Sequence, residues 1–223
     1  DHTAAPEDLP WQPWKSATSL PSGEGNYYLT EDVVMQESSG ISKDHAIALD
    51  LCGHSITFAQ RNNILYFADK GNNTLHITDS VGGGVIQRPE QTSINRSGGF
   101  VLGNKTSVIN LYAGVLDGKN VPNTGAGGGI ICTEGIFNMY GGTIKNGTAG
   151  NLGGNVRLAG GTFNMEGGEI LNGTATSATA TGGSIGLDQT TAMVISFLLT
   201  AAWWAVFTLP LMRRYKQTAY VER

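Results

Sequence analysis

The side chains that could carry out acid–base chemistry are few in this sequence and lie scattered along it. The acidic residues of its repeated part include no adjacent pair: Asp50, Asp69, Asp79, Asp117, Glu134, Glu166 and Glu169. Polysaccharide lyases need clustered carboxylates for Ca²⁺ beside a basic residue, and glycoside hydrolases need two carboxyl groups at a set separation. The sequence therefore predicts no catalytic residue, and activity like that of a polysaccharide lyase or hydrolase stays open as the alternative function.

One contact between an acid and a histidine is expected. Asp50 and His76 are predicted at equivalent outward positions on successive repeats. A lone pair without a third group is more typical of an exposed contact than of catalysis.

Metal, cofactor and nucleic-acid binding have no sequence signature here. His45 and His54 lack a partner at metal-ligand spacing, and Cys52 and Cys132 form neither a metal-ligand pattern nor a redox pair. The net charge is −4, without a basic cluster in the first 200 residues. We therefore expect no metal, no cofactor and no nucleic-acid partner.

A repeat predicts the elements that position the remaining polar side chains. Residues 135–149 match residues 161–175 at 11 of 15 positions with an offset of 26, and weaker copies begin at Leu49, Leu75 and Ile109. Each copy alternates apolar and polar residues, as strands do, and is followed by a glycine-rich corner. The composition, with 32 glycines and 14% charged residues, also favours an all-β fold. A repeat of this length without a helix predicts one coil of a parallel β-helix, a solenoid of stacked coils.

Stacking of the coils predicts which side chains lie over one another. The two expected internal ladders are Leu49, Leu75, Ile109, Phe137 and Phe163, and Leu51, Ile77, Leu111, Met139 and Met165. The outward row between them, Asn110, Asn138 and Asn164, is either a hydrogen-bonded surface stack or a ligand-binding face. Asn146 and Asn172, each followed by glycine, should form corners with positive φ. The two cysteines lie about three coils apart, roughly 14 Å, and should be free thiols.

The N-terminal part carries a family resemblance. It contains Trp11-Gln-Pro-Trp14, then Gly-Asn-Tyr-Tyr-Leu-Thr-Glu-Asp-Val over residues 25–33, then Leu-Asp-Leu-Cys-Gly-His-Ser-Ile over residues 49–56. Over about residues 8–175 the chain resembles large bacterial surface proteins of the pectin-lyase-like class, which are right-handed parallel β-helices. The resemblance implies an exported protein and this fold, but no specific activity. Trp11 and Trp14 are candidates for a sugar-stacking platform with Tyr27 and Tyr28, or for a cap on the open end of the solenoid.

The C-terminal part predicts a membrane anchor. Ala192 to Met212 contains 21 residues without a charge and is followed by Arg213-Arg214-Tyr215-Lys216. As a helix it would reach about 31 Å, enough to cross a bilayer core, with the basic cluster in the cytoplasm. Residues 186–216 also resemble one helix of a major-facilitator permease. One helix cannot transport, so the segment is either a recruited anchor or the product of two joined reading frames.

The sequence thus predicts a solenoid followed by a membrane helix. We expect a lead-in or cap over residues 1–24, a parallel β-helix over 25–175, a linker over 176–190, a transmembrane helix over 191–214 and a cytoplasmic tail over 215–223. The expected function is that of a non-catalytic cell-surface module for adhesion or glycan contact, with glycans or a host or cell-wall surface as partner. A β-helix fused to a permease fragment is a further alternative.

Overall fold

The computed structural model describes most of the repeated part of the chain and little beyond it. The described residues are 9–15, 19–21, 23–36, 39–41, 44–58, 65–67, 71–88, 101–103, 105–122, 131–150, 152–176, 197–198, 200–204 and 206. Side chains are described in all of these ranges except 39–41, 65–67, 101–103 and 131–133.

The described chain is built from short strands, and most of them carry alternating apolar residues. In chain order they are β1 Trp11–Trp14, β2 Gly25–Leu29, β3 Val33–Met35, β4 Ser39–Ile41, β5 Ala46–Asp50, β6 Ser55–Phe58, β7 Leu65–Phe67, β8 Thr74–Thr78, β9 Val85–Gln87, β10 Val101–Gly103, β11 Val108–Leu111, β12 Val115–Asp117, β13 Ile131–Thr133, β14 Ile136–Met139, β15 Thr143–Lys145, β16 Thr148–Ala149, β17 Val156–Leu158, β18 Thr162–Met165, β19 Glu169–Leu171 and β20 Thr174–Ala175.

These strands form stacked parallel sheets. The first sheet has the order β1-β2-β5-β8-β11-β14-β18, the second β3-β6-β9-β12-β15-β19, and the third β4-β7-β10-β13-β17. The pair β16 and β20 forms a small fourth sheet. Successive members of each sheet come from successive passages of the chain, and we call one such passage a coil. The all-β prediction is confirmed, and the stacked parallel sheets are compatible with a β-helix-like solenoid.

The core is made of inward side chains that repeat from coil to coil. Phe137 aligns with Phe163 in parallel register, and their rings stack with centroids 5.4 Å apart at an interplanar angle of 12°. Phe137 is fully buried, while Phe163 is half-buried and packs against the core. In the second sheet the inward ladder is Ile56, Ile86, Leu116, Ile144 and Ile170. The predicted stacking of Phe137 on Phe163 is confirmed.

The predicted ladders are wrong in one coil. Ile47, not Leu49, aligns with Leu75, and Leu49, not Leu51, aligns with Ile77. The sequence alignment assumed corners of equal length. In this coil the corner between β5 and β6 is longer than the corners that follow β11 and β14. Leu51 lies within this longer corner and is fully buried. The ladders from Leu75 onward follow the prediction.

Corners are formed by residues that tolerate a left-handed backbone. Asn146 and Asn172 have φ of 58° and 52°, which confirms the prediction for both. Asn155 is fully buried beside them: its Oδ1 accepts from Gly147 N at 2.7 Å, and its Nδ2 donates to Leu171 O at 2.8 Å. Asparagine therefore closes these corners both through its backbone and through its side chain.

The predicted transmembrane helix falls largely outside the described residues. The chain divides into two units, residues 1–186 and 187–223. In the second unit residues 197–198, 200–204 and 206 are helical, and the large apolar side chains among them, including Trp203 and Trp204, are exposed. Among the described residues no helix has the length and apolar content needed to cross a bilayer.

Candidate functional site

The outward asparagines of the first sheet form a continuous hydrogen-bonded row. Asn164 Nδ2 donates to Asn138 Oδ1 at 2.8 Å, and Asn138 Nδ2 donates to Asn110 Oδ1 at 2.8 Å. Because parallel strands in register place equivalent side chains about 4.8 Å apart, each amide can reach the next without distortion. The bond in each step uses one amide hydrogen and one carbonyl lone pair. Each side chain retains a second hydrogen and a second lone pair. Asn138 and the exposed Asn164 can offer them to a ligand or water, whereas Asn110 is buried.

The asparagine row ends on a histidine in the preceding coil. Asn110 Nδ2 lies 3.2 Å from His76 Nδ1. Since Asn110 Oδ1 already accepts from Asn138, the amide of Asn110 presents its nitrogen to the imidazole. His76 Nδ1 is therefore the acceptor, and Nε2 carries the proton. Burial lowers the pKa of His76, which also favours this neutral form.

Two tyrosines form a second row beside the asparagines. The rings of Tyr112 and Tyr140 stack with their centroids 4.9 Å apart at an interplanar angle of 14°. The imidazole ring of His76 stacks on the other side, with its centroid 6.1 Å from that of Tyr112. The stacking covers both ring faces of Tyr112 but only one face of Tyr140, so Tyr112 offers its edge and hydroxyl group to a ligand, and Tyr140 also offers its second face. Burial, and to a lesser degree the neighbouring Tyr140, raises the pKa of Tyr112, so its hydroxyl stays protonated at neutral pH. Both tyrosines occupy the same position in the sequence repeat, so the repeat could have predicted this row as well as the asparagine row.

A third row completes this surface, which we call the amide–tyrosine face. The outward side chains that precede the asparagine row are Thr74, Val108, Ile136 and Thr162. Ile136 is 40% exposed. Among the described residues of the three rows, β8 to β18, Glu166 at the far end is the one carboxylate. The face accordingly combines polar and apolar side chains and is nearly uncharged.

The tryptophans lie at the other end of the first sheet. Trp14 is 8% exposed and belongs to the core, where its strand covers β2. Trp11 aligns with Asn26 and is half-buried. The burial of Trp14 favours the cap over the sugar-stacking platform, since a stacking platform needs an accessible ring face. The structure thus brings Asn110, Asn138 and Asn164 together, but not with the tryptophans.

The carboxylates of the corner between the first two sheets bind backbone amides. Asp79 accepts from Gly53 N and Gly84 N, both at 2.7 Å. Asp50 Oδ1 accepts from Cys52 N and Ser80 N, both at 2.9 Å. Burial raises the pKa of Asp50, but these hydrogen bonds outweigh it and the pKa is lowered overall. Such carboxylates hold corners of neighbouring coils together.

The predicted contact between Asp50 and His76 is wrong. Asp50 aligns with Thr78, while His76 aligns with Ala48 and Asn110. The register of this coil differs from the predicted register by two residues. Asp50 therefore lies beside Thr78, one outward position further along the strand than predicted. Sequence reasoning missed a different contact, since His54 Nδ1 lies 3.6 Å from the exposed carboxylate of Asp32.

Two further groups were singled out by their chemistry. Cys52 is a free thiol, as predicted; its sulfur lies 3.8 Å from Ser80 Oγ, and burial raises its pKa, so it is a poor nucleophile. The side chain of Cys132 lies outside the described residues. In the part of the chain that the structure describes, no three His, Cys, Asp or Glu side chains are grouped to hold a metal ion.

Comparison with known proteins adds no family assignment. No protein-family model matches the chain, and neither a curated protein nor a solved structure matches it.

Proposed function

We propose that this chain is a non-catalytic, exported surface module of the right-handed, pectin-lyase-like β-helix type, and that it contacts neutral glycans through the amide–tyrosine face. The observation that carries the proposal is the hydrogen-bonded row of Asn110, Asn138 and Asn164 beside the tyrosine row. Repeating amide groups match the repeating hydroxyl groups of a polysaccharide, which both donate and accept hydrogen bonds.

The near-absence of charge on this face selects the class of glycan. Acidic polysaccharides are bound by arginine, lysine or bound cations, because a carboxylate needs a positive partner when it leaves water. The described part of the amide–tyrosine face carries Glu166 and no lysine or arginine. Glu166 repels polyuronates, so a neutral glycan is the better partner.

The proposal includes export and attachment to a membrane. The resemblance over about residues 8–175 supports export, and the uncharged stretch from Ala192 to Met212 supports a single span with its C-terminus in the cytoplasm. This arrangement would hold the solenoid outside the cell, where glycans of a host or cell wall are the accessible partners.

The test is a glycan array probed with the full chain in a mild detergent. We expect binding to neutral glycans, a clear loss with Tyr140→Ala and with Asn138→Ala, and unchanged binding with Gln87→Ala, a matched change on the outer side of the second sheet. Circular dichroism of each variant controls for folding. Binding that is absent, or that all three variants retain, would rule the contact face out. A parallel assay on polyuronates tests the alternative, because release of unsaturated product would establish a lyase.

A further inference from the structure

The last described coil of the first unit leaves one side of the solenoid open. Strands β17, β18, β19 and β20 each stand at the end of their sheet. The inward residues of the preceding coil, Phe137 and Met139, are fully buried, but Met165, the equivalent of Met139, is 46% exposed. An edge of parallel strands with an accessible apolar interior is a template for the addition of further strands.

Two rows of asparagines give this open side a chemical polarity. Asn164 Nδ2 donates to Asn138 Oδ1, and Asn172 Nδ2 donates to Asn146 Oδ1 at 3.2 Å. Both rows therefore run in the same direction, with each amide donating to the coil before it. Among the described residues nothing donates to the Oδ1 atoms of Asn164 and Asn172. Both oxygens can therefore accept a hydrogen bond from a following coil.

A second copy of this chain fits the open side poorly in either orientation. If two open sides met, the Oδ1 atoms of one copy would face those of the other, acceptor against acceptor. If the first strand of a second copy met the open side, that strand would present Trp11 at the position of the asparagine row, as its alignment with Asn26 shows. It would also present Pro13, which has no backbone N–H to donate.

We propose that this open side is a docking surface for a parallel β-coil of another protein. The partner coil carries asparagines at the two positions that follow Asn164 and Asn172, and an apolar side chain over Met165. Its amides continue both rows, its backbone pairs with β18 and β19, and its apolar residue covers the exposed interior. Binding of this kind is strand addition, in which the main chain supplies affinity and the side chains supply selectivity. The docking surface shares Asn164 with the amide–tyrosine face but is otherwise formed by the strand edges and interior of the last coil, and the inference does not depend on the proposed function.

The test uses a two-coil peptide that copies residues 131–175 and stands in for the partner coil. Its first coil carries Asn138 and Asn146, which can donate to the open side of the full chain. Binding is followed by fluorescence anisotropy with the full chain in a mild detergent. A control peptide with Asn138→Leu and Asn146→Gly lacks both donors and keeps a backbone that the left-handed corner accepts. We expect saturable binding of the first peptide and binding roughly tenfold weaker for the control, because two hydrogen bonds are lost.

Matched variants of the full chain locate the contact. Met165→Lys places a charge on the exposed interior and should abolish binding, while Leu171→Lys places the same charge on the outward side of the neighbouring strand β19 and should leave it unchanged. Equal binding of the two peptides, an equal effect of the two lysines, or no binding at all would overturn the proposal. So would a dimer of the chain alone that Met165→Lys dissociates, because a second copy would then be the occupant.

Discussion

Protonation of His76 should weaken the fold, because His76 Nδ1 accepts a hydrogen bond that only the neutral ring can receive. Asn110 Nδ2 lies 3.2 Å from this nitrogen, and burial lowers the pKa of His76 below its ordinary value of 6.5. The folded chain therefore binds fewer protons than the unfolded chain as the pH falls through 6.5. The sign of the linkage follows: this contribution to stability is complete above pH 6.5 and is lost as the pH falls toward the lowered pKa.

The size of the effect follows from the single hydrogen bond. Its loss costs about 1 kcal/mol, which shifts the midpoint of thermal unfolding by roughly 2–4 °C in a chain of this length. His76→Asn provides the control, because its Oδ1 accepts from Asn110 at every pH and extends the asparagine row by one residue. The two proteins differ at no other residue, so other effects of pH are shared and cancel in the comparison.

The assay is thermal unfolding of both proteins at pH 7.5 and pH 5.5, followed by circular dichroism. We expect the unchanged chain to lose roughly 2–4 °C more than His76→Asn on acidification. If both proteins lose the same amount, His76 is not the acceptor that the geometry assigns, and the direction of the asparagine row at Asn110 would have to be reversed.

Three further predictions concern stability and are read out by chemical denaturation. Phe137→Ala should cost about 3–5 kcal/mol because it empties a fully buried site, and Phe163→Ala distinctly less because that residue is half-buried; equal costs would contradict the assigned burial. Gly142→Ala should cost more than Gly83→Ala: both have positive φ, but the new Cβ would lie 2.7 Å from Gly114 O in the first case and in open space in the second. Asn138→Ala removes two hydrogen bonds and should cost about 2 kcal/mol; an unchanged midpoint would show that water replaces the amide fully.

The fold could be predicted from sequence where the corners are uniform. Between Phe137 and Phe163 the offset is constant, so apolar alternation alone gives the correct register. The prediction failed at Leu49 because the corner after it is longer, and the aspartates that stabilise that corner act on backbone amides of neighbouring coils. Asp50 bonds to Ser80 N in this way, across 30 positions of the sequence. Local pattern cannot reveal a corner length that depends on such distant bonds.

The candidate site was predicted in part. The repeat placed Asn110, Asn138 and Asn164 on one outward row, since the period of two and the offset of the coils are both visible in sequence. The same alignment also places Tyr112 next to Tyr140. It does not predict that their rings stack, nor that the ring faces packed against each other are inaccessible to a ligand. That outcome depends on the ring orientation, which only coordinates give.

The pairing of each strand with its neighbours in the coils before and after has a mechanical consequence. A pulling force applied beyond Ala175 would load the last coil first, because its strands are held on one side alone. Unravelling should then proceed one turn at a time, and each turn should release roughly 90 Å of chain, as about 26 extended residues span. A repeated fold that lengthens in such steps yields to an applied force without unfolding completely at once.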